Sequence, residues 1–188
     1  QTTCIDTDSG YYTSVPGSPN QIACTNGSYQ PNTGQTSCIL ASPGNFVSSP
    51  ASTYQSPCTP GNYQPYSGQS YCIQASQGNY SSAPQSVSQT PCGVGTFQPS
   101  MGQFICIEAA PGHYVPTNGS AFQTECSLGT YQPSTSSLSC LDATPGYFVD
   151  ILGSPSQTPC VPGTYNPNFS STNSSDCLDA DIGYHVPN

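Results

Sequence analysis

The sequence predicts an all-β fold of small, irregular, disulfide-rich hairpins, repeated in tandem to form an elongated rod or solenoid. Three observations predict it: cysteine gaps that alternate between long and short, a glycine that returns at a constant interval, and an aromatic two positions after each of those glycines. Cysteines stand at 4, 24, 38, 58, 72, 92, 106, 126, 140, 160 and 177, the last short gap being widened. Glycines stand at 10, 27, 44, 61, 78, 95, 112, 129, 146 and 163. The aromatics that follow are Tyr12, Tyr29, Phe46, Tyr63, Tyr80, Phe97, Tyr114, Tyr131, Phe148 and Tyr165. Gly183 arrives late in this series, with Tyr184 beside it and His185 in the aromatic slot, which places a short insertion within Asn166 to Asp176.

The repeat unit therefore contains two lead glycines and is made of two similar halves. Its boundaries are a partial repeat over 1–23, repeats over 24–57, 58–91, 92–125 and 126–159, and a partial repeat over 160–188 with the expanded loop 166–176. One half reads Cys-x-x-Gly-x-Tyr-Gln-Pro and ends at the next Cys, as in Cys24 to Cys38. In the other half the two Cys positions become Ala41 with Gln55, Ala75 with Gln89, Ala109 with Gln123, and Ala143 with Gln157. Bonded partners are expected to disappear together, because a lone survivor is a free thiol. That selects Cys24–Cys38, Cys58–Cys72, Cys92–Cys106, Cys126–Cys140 and Cys160–Cys177. Cys4 is left as a half-cystine whose partner is expected one short cysteine gap before it, ahead of Gln1. The long-loop alternative, Cys4–Cys24 onward, remains open and orphans Cys177 instead.

Composition explains why staples are needed. Hydrophobic residues make up 34%, Trp is absent and Met occurs once, which is too little for a single core in 188 residues. Eleven cysteines in such a chain point to disulfides and an oxidising compartment. A zinc protein needs close Cys pairs or Cys/His clusters, and no two cysteines here lie nearer than Cys24 and Cys38. Lys and Arg are absent and the formal charge is −9, which argues against nucleic acid and anionic lipid as partners and against ion pairs as a source of stability. No apolar run is long enough to span a membrane, so no direct membrane insertion is expected of this segment. The chain starts without a charged and apolar leader, so a secretion signal or anchor is expected outside it.

Within a half, frequent Pro and Gly exclude long helices. Residues 27–30 (Gly-Ser-Tyr-Gln) and 35–38 (Gln-Thr-Ser-Cys) read as short strands with 32–34 (Asn-Thr-Gly) as their turn. The fixed glycine suits a positive φ or a close backbone approach. The aromatic is expected against the disulfide or the next hairpin. Ile5, Ile39, Ile73, Ile107, Leu141 and Leu178, each directly after a Cys, are expected to supply the other apolar contact of a one-dimensional core. Stacking at the ~10 Å spacing of packed sheets makes a rod on the order of 100 Å. Its radius of gyration is near ~30 Å, against ~16 Å for a compact chain of this length.

Residues 126–135, Cys-Ser-Leu-Gly-Thr-Tyr-Gln-Pro-Ser-Thr, resemble the ephrin-receptor-like cysteine-rich repeat, a family akin in style to TNF-receptor modules. The pattern covers the whole chain. It implies a secreted, elongated, disulfide-laddered module. Family members carry cysteines in both halves, often as Cys-x-x-Cys, and this chain has Ala where the second Cys would stand. Receptor-type ligand specificity therefore does not carry over.

Asn26, Asn79, Asn118, Asn168 and Asn173 each open an Asn-x-Ser sequon, so they are candidate N-glycan acceptors. The Ser, Thr and Pro content also fits O-glycans. Asp6, Glu108, Asp142 and Asp179 follow a Cys by two positions, but Leu40 and Gln74 break the series, so isolated surface carboxylates are expected rather than a calcium site. His113 and His185 occupy different registers, and no catalytic pattern repeats. No enzyme activity, cofactor or metal is expected beyond covalent glycans. The sequence favours a structural segment of an extracellular or cell-surface fibre, stalk or appendage. Its expected partners are neighbouring repeats of the same longer chain, and side-by-side association into fibres is compatible with the low charge density. The alternative is a receptor- or adhesin-type ectodomain binding a protein or glycan, with the expanded loop as the best candidate surface.

Overall fold

A strand of two residues makes too few bonds to persist alone, so such a fold depends on what ties each hairpin to its neighbours. The computed structural model describes residues 4–181, and Gly183, Tyr184 and His185 lie outside the described residues. Each half is one hairpin: Ser28–Tyr29 pairs antiparallel with Ile39–Leu40, and Asn45–Phe46 with Ser56–Pro57. Ten such two-stranded sheets occur among the described residues, with no α-helix. The hairpin base is closed by a bond back to the lead glycine, as at Gly27 and Gly44. Ala41 N–H donates to the Gly27 carbonyl and Cys58 N–H to that of Gly44, at 2.8 and 2.9 Å. The first strand is the one expected. The second is not: it lies past the cysteine, at 39–40, rather than over 35–38. The backbone at 34–35 is engaged elsewhere, since Gly34 N–H donates to Thr7 and the Gln35 carbonyl accepts from Thr13 N–H, both in the preceding half.

The chain divides into two compact units, one comprising residues up to Thr90 with Ser100–Ile105, the other Pro91–Pro99 with residues from Cys106 onward. In the first, Gly27 N–H donates to the Val47 carbonyl (2.8 Å), Gln30 N–H to that of Ser52 (3.0 Å), and Ala51 N–H to that of Cys24 (2.8 Å). In the second, the same scheme recurs as Gly112 to Gln132 (2.7 Å), Val115 to Ser137 (2.9 Å) and Ser136 to Ala109 (2.9 Å). These are backbone bonds from one half to the next, so amides that a lone hairpin would leave unpaired are satisfied by a neighbour.

The lead glycine meets both conditions expected of it. Gly27 has φ +84, and a Cβ there would overlap the carbonyl of Gly68, two halves further along; Gly61 stands in the same relation to Gly102. A second left-handed slot, seven positions after the lead glycine, escaped the sequence reading. Gly17, Gly34, Gly68, Gly102, Gly119 and Gly153 occupy it, but so do Ala51, Gln85, Ser136 and Ser170, all with positive φ.

The core is smaller and more polar than expected. Its floor is Cys24, Ala41, Cys58, Ala75, Cys92, Ala109, Cys126 and Ala143, all fully buried. Three positions after the lead glycine, the buried slot holds Gln30, Gln64, Gln98, Gln132 and Asn166 in the cysteine halves, and Val47, Ser81, Val115 and Val149 in the others. Gln64 Nε2 donates to the Tyr71 carbonyl (2.9 Å) and its Oε1 accepts from Tyr66 N–H (3.1 Å); Gln30 and Gln132 do the same in their own loops. No buried side-chain polar atom lacks a partner among the described residues. The aliphatics after each cysteine are not core: Ile39, Ile107, Leu141 and Leu178 are 44–48% exposed, Ile5 more so, and Ile73 is half-buried. All but Ile5 stand in the second strand of a hairpin, opposite its aromatic, as Ile39 stands opposite Tyr29. The aromatics from Tyr12 through Tyr131 are half-buried, Phe148 is buried and Tyr165 exposed. Gln64→Leu should therefore destabilise despite the gain in apolarity. It removes the bonds to the Tyr71 carbonyl and the Tyr66 N–H, at about 0.5–1.5 kcal/mol each. Loss of amide protection at Tyr66, read by hydrogen exchange, checks it.

The inserted residues can be placed more closely than the spacing allowed. Ser170 N–H still donates to Ala143 and the Ser171 carbonyl still accepts from Val149 N–H, so the phase holds through 171. The extra length falls after it and is taken up by one 3₁₀ turn, Ser174–Asp176. Asn173 caps that turn through its side chain, and Asp176 reaches back to the N–H groups of Thr172 and Asn173.

Candidate functional site

The chemistry-bearing positions of this chain are its clasps, which join the start and end of each hairpin. In one half the clasp is covalent: Cys24–Cys38, Cys58–Cys72, Cys92–Cys106 and Cys126–Cys140 close at a separation of 14 residues, and Cys160–Cys177 at 17. Their Cα atoms stand 5.7–5.8 Å apart, an ordinary disulfide span. The structure does not form the long-loop pairing. Cys4 is exposed and makes no disulfide among the described residues. Because the chain has no Lys or Arg, chymotryptic or Asp-directed digestion without reductant is the way to map the bonds. A linked Cys24–Cys38 peptide is expected; a Cys38–Cys58 link would overturn the pairing.

In the alternate half the clasp is a glutamine, a role the sequence reading did not assign. Ser42 N–H donates to Gln55 Oε1 (2.7 Å), Ser76 to Gln89 (2.7 Å), Ala110 to Gln123 (2.8 Å), Thr144 to Gln157 (2.8 Å) and Asp8 to Gln21 (2.8 Å). The donor is the residue just after the buried Ala or Thr that replaces the first cysteine, and the acceptor occupies the second cysteine's place. Three of these glutamines also donate to the side chain they face: Gln89 to Ser76, Gln157 to Thr144 and Gln21 to Asp8. The paired change from Cys/Cys to Ala/Gln thus exchanges one cross-link for another at the same two points. The signal was present, since glutamine recurs wherever the second cysteine is lost.

The five sequons do not sit alike. Asn26, Asn118, Asn168 and Asn173 are exposed. Asn118 Oδ1 accepts from Val94 N–H (2.9 Å), and Asn173 Oδ1 caps its turn. Asn79 is half-buried, and its Nδ2, the atom a glycan would take, already donates to Ser76 Oγ and the Gln77 carbonyl.

The carboxylates Asp6, Glu108, Asp142 and Asp179 are all exposed, and no group of three metal-ligating side chains occurs among the described residues. Asp142 accepts from Ser170 Oγ (2.7 Å). The expectation that nothing is held by ion pairs needs one correction. His113 stands directly opposite Glu125 in its hairpin, with Nε2 3.9 Å from Oε1, a salt bridge whenever the imidazole is protonated.

Tyr12 shares a shallow groove with Cys38, and Tyr114 shares the equivalent groove with Cys140. No helix among the described residues is long and apolar enough to cross a membrane. No family model matches the chain, and no curated protein matches it in sequence.

Proposed function

We propose that this chain is a structural repeat segment of a secreted, glycosylated fibre, stalk or surface appendage. One observation carries the reading: the same backbone bonds pass from each half to the next within both units, so successive hairpins meet equivalent neighbours, as a spacer built of repeated units requires. Five disulfides fit an oxidising, extracellular setting. The likeness to ephrin-receptor-like repeats supports an extracellular module and nothing narrower. Neighbouring repeats of a longer chain are the natural partners, and exposed sequons offer sites for glycans. Negative-stain imaging of the native particle tests the proposal. Filaments or stalks of even calibre are expected, and isolated compact particles would overturn it.

A second reading, a receptor or adhesin ectodomain, draws on the expanded loop, where Phe169 is 65% exposed beside Asn168 and Asn173. Deleting the 3₁₀ turn Ser174–Asp176 would abolish partner binding under that reading and leave assembly unchanged under the first.

A further inference from the structure

The two clasps differ in a property that the backbone ladder does not equalise. A disulfide stays closed when the chain is pulled, whereas a glutamine held by one or two hydrogen bonds opens. Cys58–Cys72 shunts tension past its own loop across 5.8 Å. The next half has no such shunt. Its closure is the bond from Ser76 N–H to Gln89 Oε1 (2.7 Å) and the return bond from Gln89 Nε2 to Ser76 Oγ (2.9 Å). The same alternation holds at Gln55 in the first unit and at Gln123 and Gln157 in the second.

We infer that the array is an extensible element with built-in stops, in which glutamine-clasped hairpins open under tension while disulfide-clasped hairpins remain shut. The extensible part of each repeat is the interval from one disulfide to the next, as from Cys38 to Cys58, and the locked part is the loop that a disulfide closes, as from Cys58 to Cys72. At about 3.5 Å per extended residue the extensible part amounts to about 70 Å per repeat. The closed disulfide adds 5.8 Å, so reduction, which frees the locked loop, lengthens the extended repeat from about 75 Å to about 120 Å, roughly 1.6-fold. A secreted stalk or fibre gains from this a way to lengthen in steps without unravelling completely. The inference rests on the structural reading for that use alone, since the force response belongs to the hairpins themselves.

Single-molecule pulling on the full chain between terminal handles tests it. Without reductant, each repeat should lengthen stepwise to about 75 Å, a release of about 55 Å beyond its folded span at ~10 Å per hairpin, and its final length should rise about 1.6-fold once the disulfides are reduced. Gln89→Ala should lower the force of one event and leave the released lengths unchanged. Should that variant fail to fold, the A75C/Q89C pair puts a disulfide where its neighbours have one. It should shorten the final extension by about 45 Å without reductant, remove one low-force event, and revert to wild type in reductant. The inference falls if the oxidised chain ruptures in one cooperative step. It falls equally if neither variant alters the low-force events. Either result leaves the fibre reading standing, and compact native particles in images would leave this inference standing.

Discussion

Complete reduction of the five disulfides is expected to abolish amide protection along the whole described chain. Each closes a loop of about 15 residues, worth about 3 kcal/mol in the chain-entropy model. Five such loops amount to about 15 kcal/mol if they add, as much as the entire stability of an ordinary domain, about 5–15 kcal/mol. Little else can compensate. Among the described residues the buried side chains are Ala, Val, Cys, Phe148 and polar groups, and no buried position holds a Leu, Ile or Trp. The ladder between halves joins surfaces that exist only while the hairpins are closed. Hydrogen exchange with and without reductant checks this, and amides that stay protected after full reduction would show that the ladder sustains itself.

Gly61→Ala is the single substitution expected to do most damage. The residue holds φ +88, and its Cβ would lie inside the carbonyl of Gly102. The left-handed backbone costs an L-residue about 1–2 kcal/mol, and the overlap must then push two hairpins apart, for a total on the order of 4 kcal/mol or more. Gly17→Ala is the matched control. It has φ +70 and open space around it, so the expected cost is only the conformational term of about 1–2 kcal/mol, close to what the fold already bears at Ala51. Denaturant unfolding under non-reducing conditions, followed by residue-resolved exchange because repeats unfold piecemeal, separates the two. Equal losses would contradict the close approach.

How much of this could be read beforehand depended on whether a position has one occupant. The lead glycine does, because its φ is positive throughout and from Gly10 to Gly61 and Gly95 to Gly129 a carbonyl faces it as well, and its period was plain. The slot seven positions later is pinned only by φ, so Ala51, Gln85, Ser136 and Ser170 interrupt it and the period dissolves. The cysteine pairs were legible because they change together. Their glutamine substitutes were seen as losses, since a polar side chain gives no hint that it bonds a backbone N–H at the far end of its hairpin, as Gln55 does with Ser42. The buried Gln64 was invisible for the same reason. The post-cysteine aliphatics were misplaced because hydrophobicity alone suggested burial, and a two-residue strand is too short for an alternating pattern to show which face is outside.

The 3₁₀ turn at Ser174–Asp176 has a consequence for engineering. It shows that the chain can be spliced just after the carbonyl of Ser171, the last atom bonded to the preceding half, without disturbing register before it or the disulfide after it. The corresponding points after Gln35, Gln69, Gln103 and Ser137 lie just past the same bonded carbonyl. Each falls inside a loop that a disulfide closes, as Gln35 falls between Cys24 and Cys38. Every repeat therefore offers one graft site for a foreign peptide, with a covalent bond holding both ends of the insert. Grafts at successive sites would display that peptide once per repeat, always on the disulfide-clasped hairpin and never on the glutamine-clasped one.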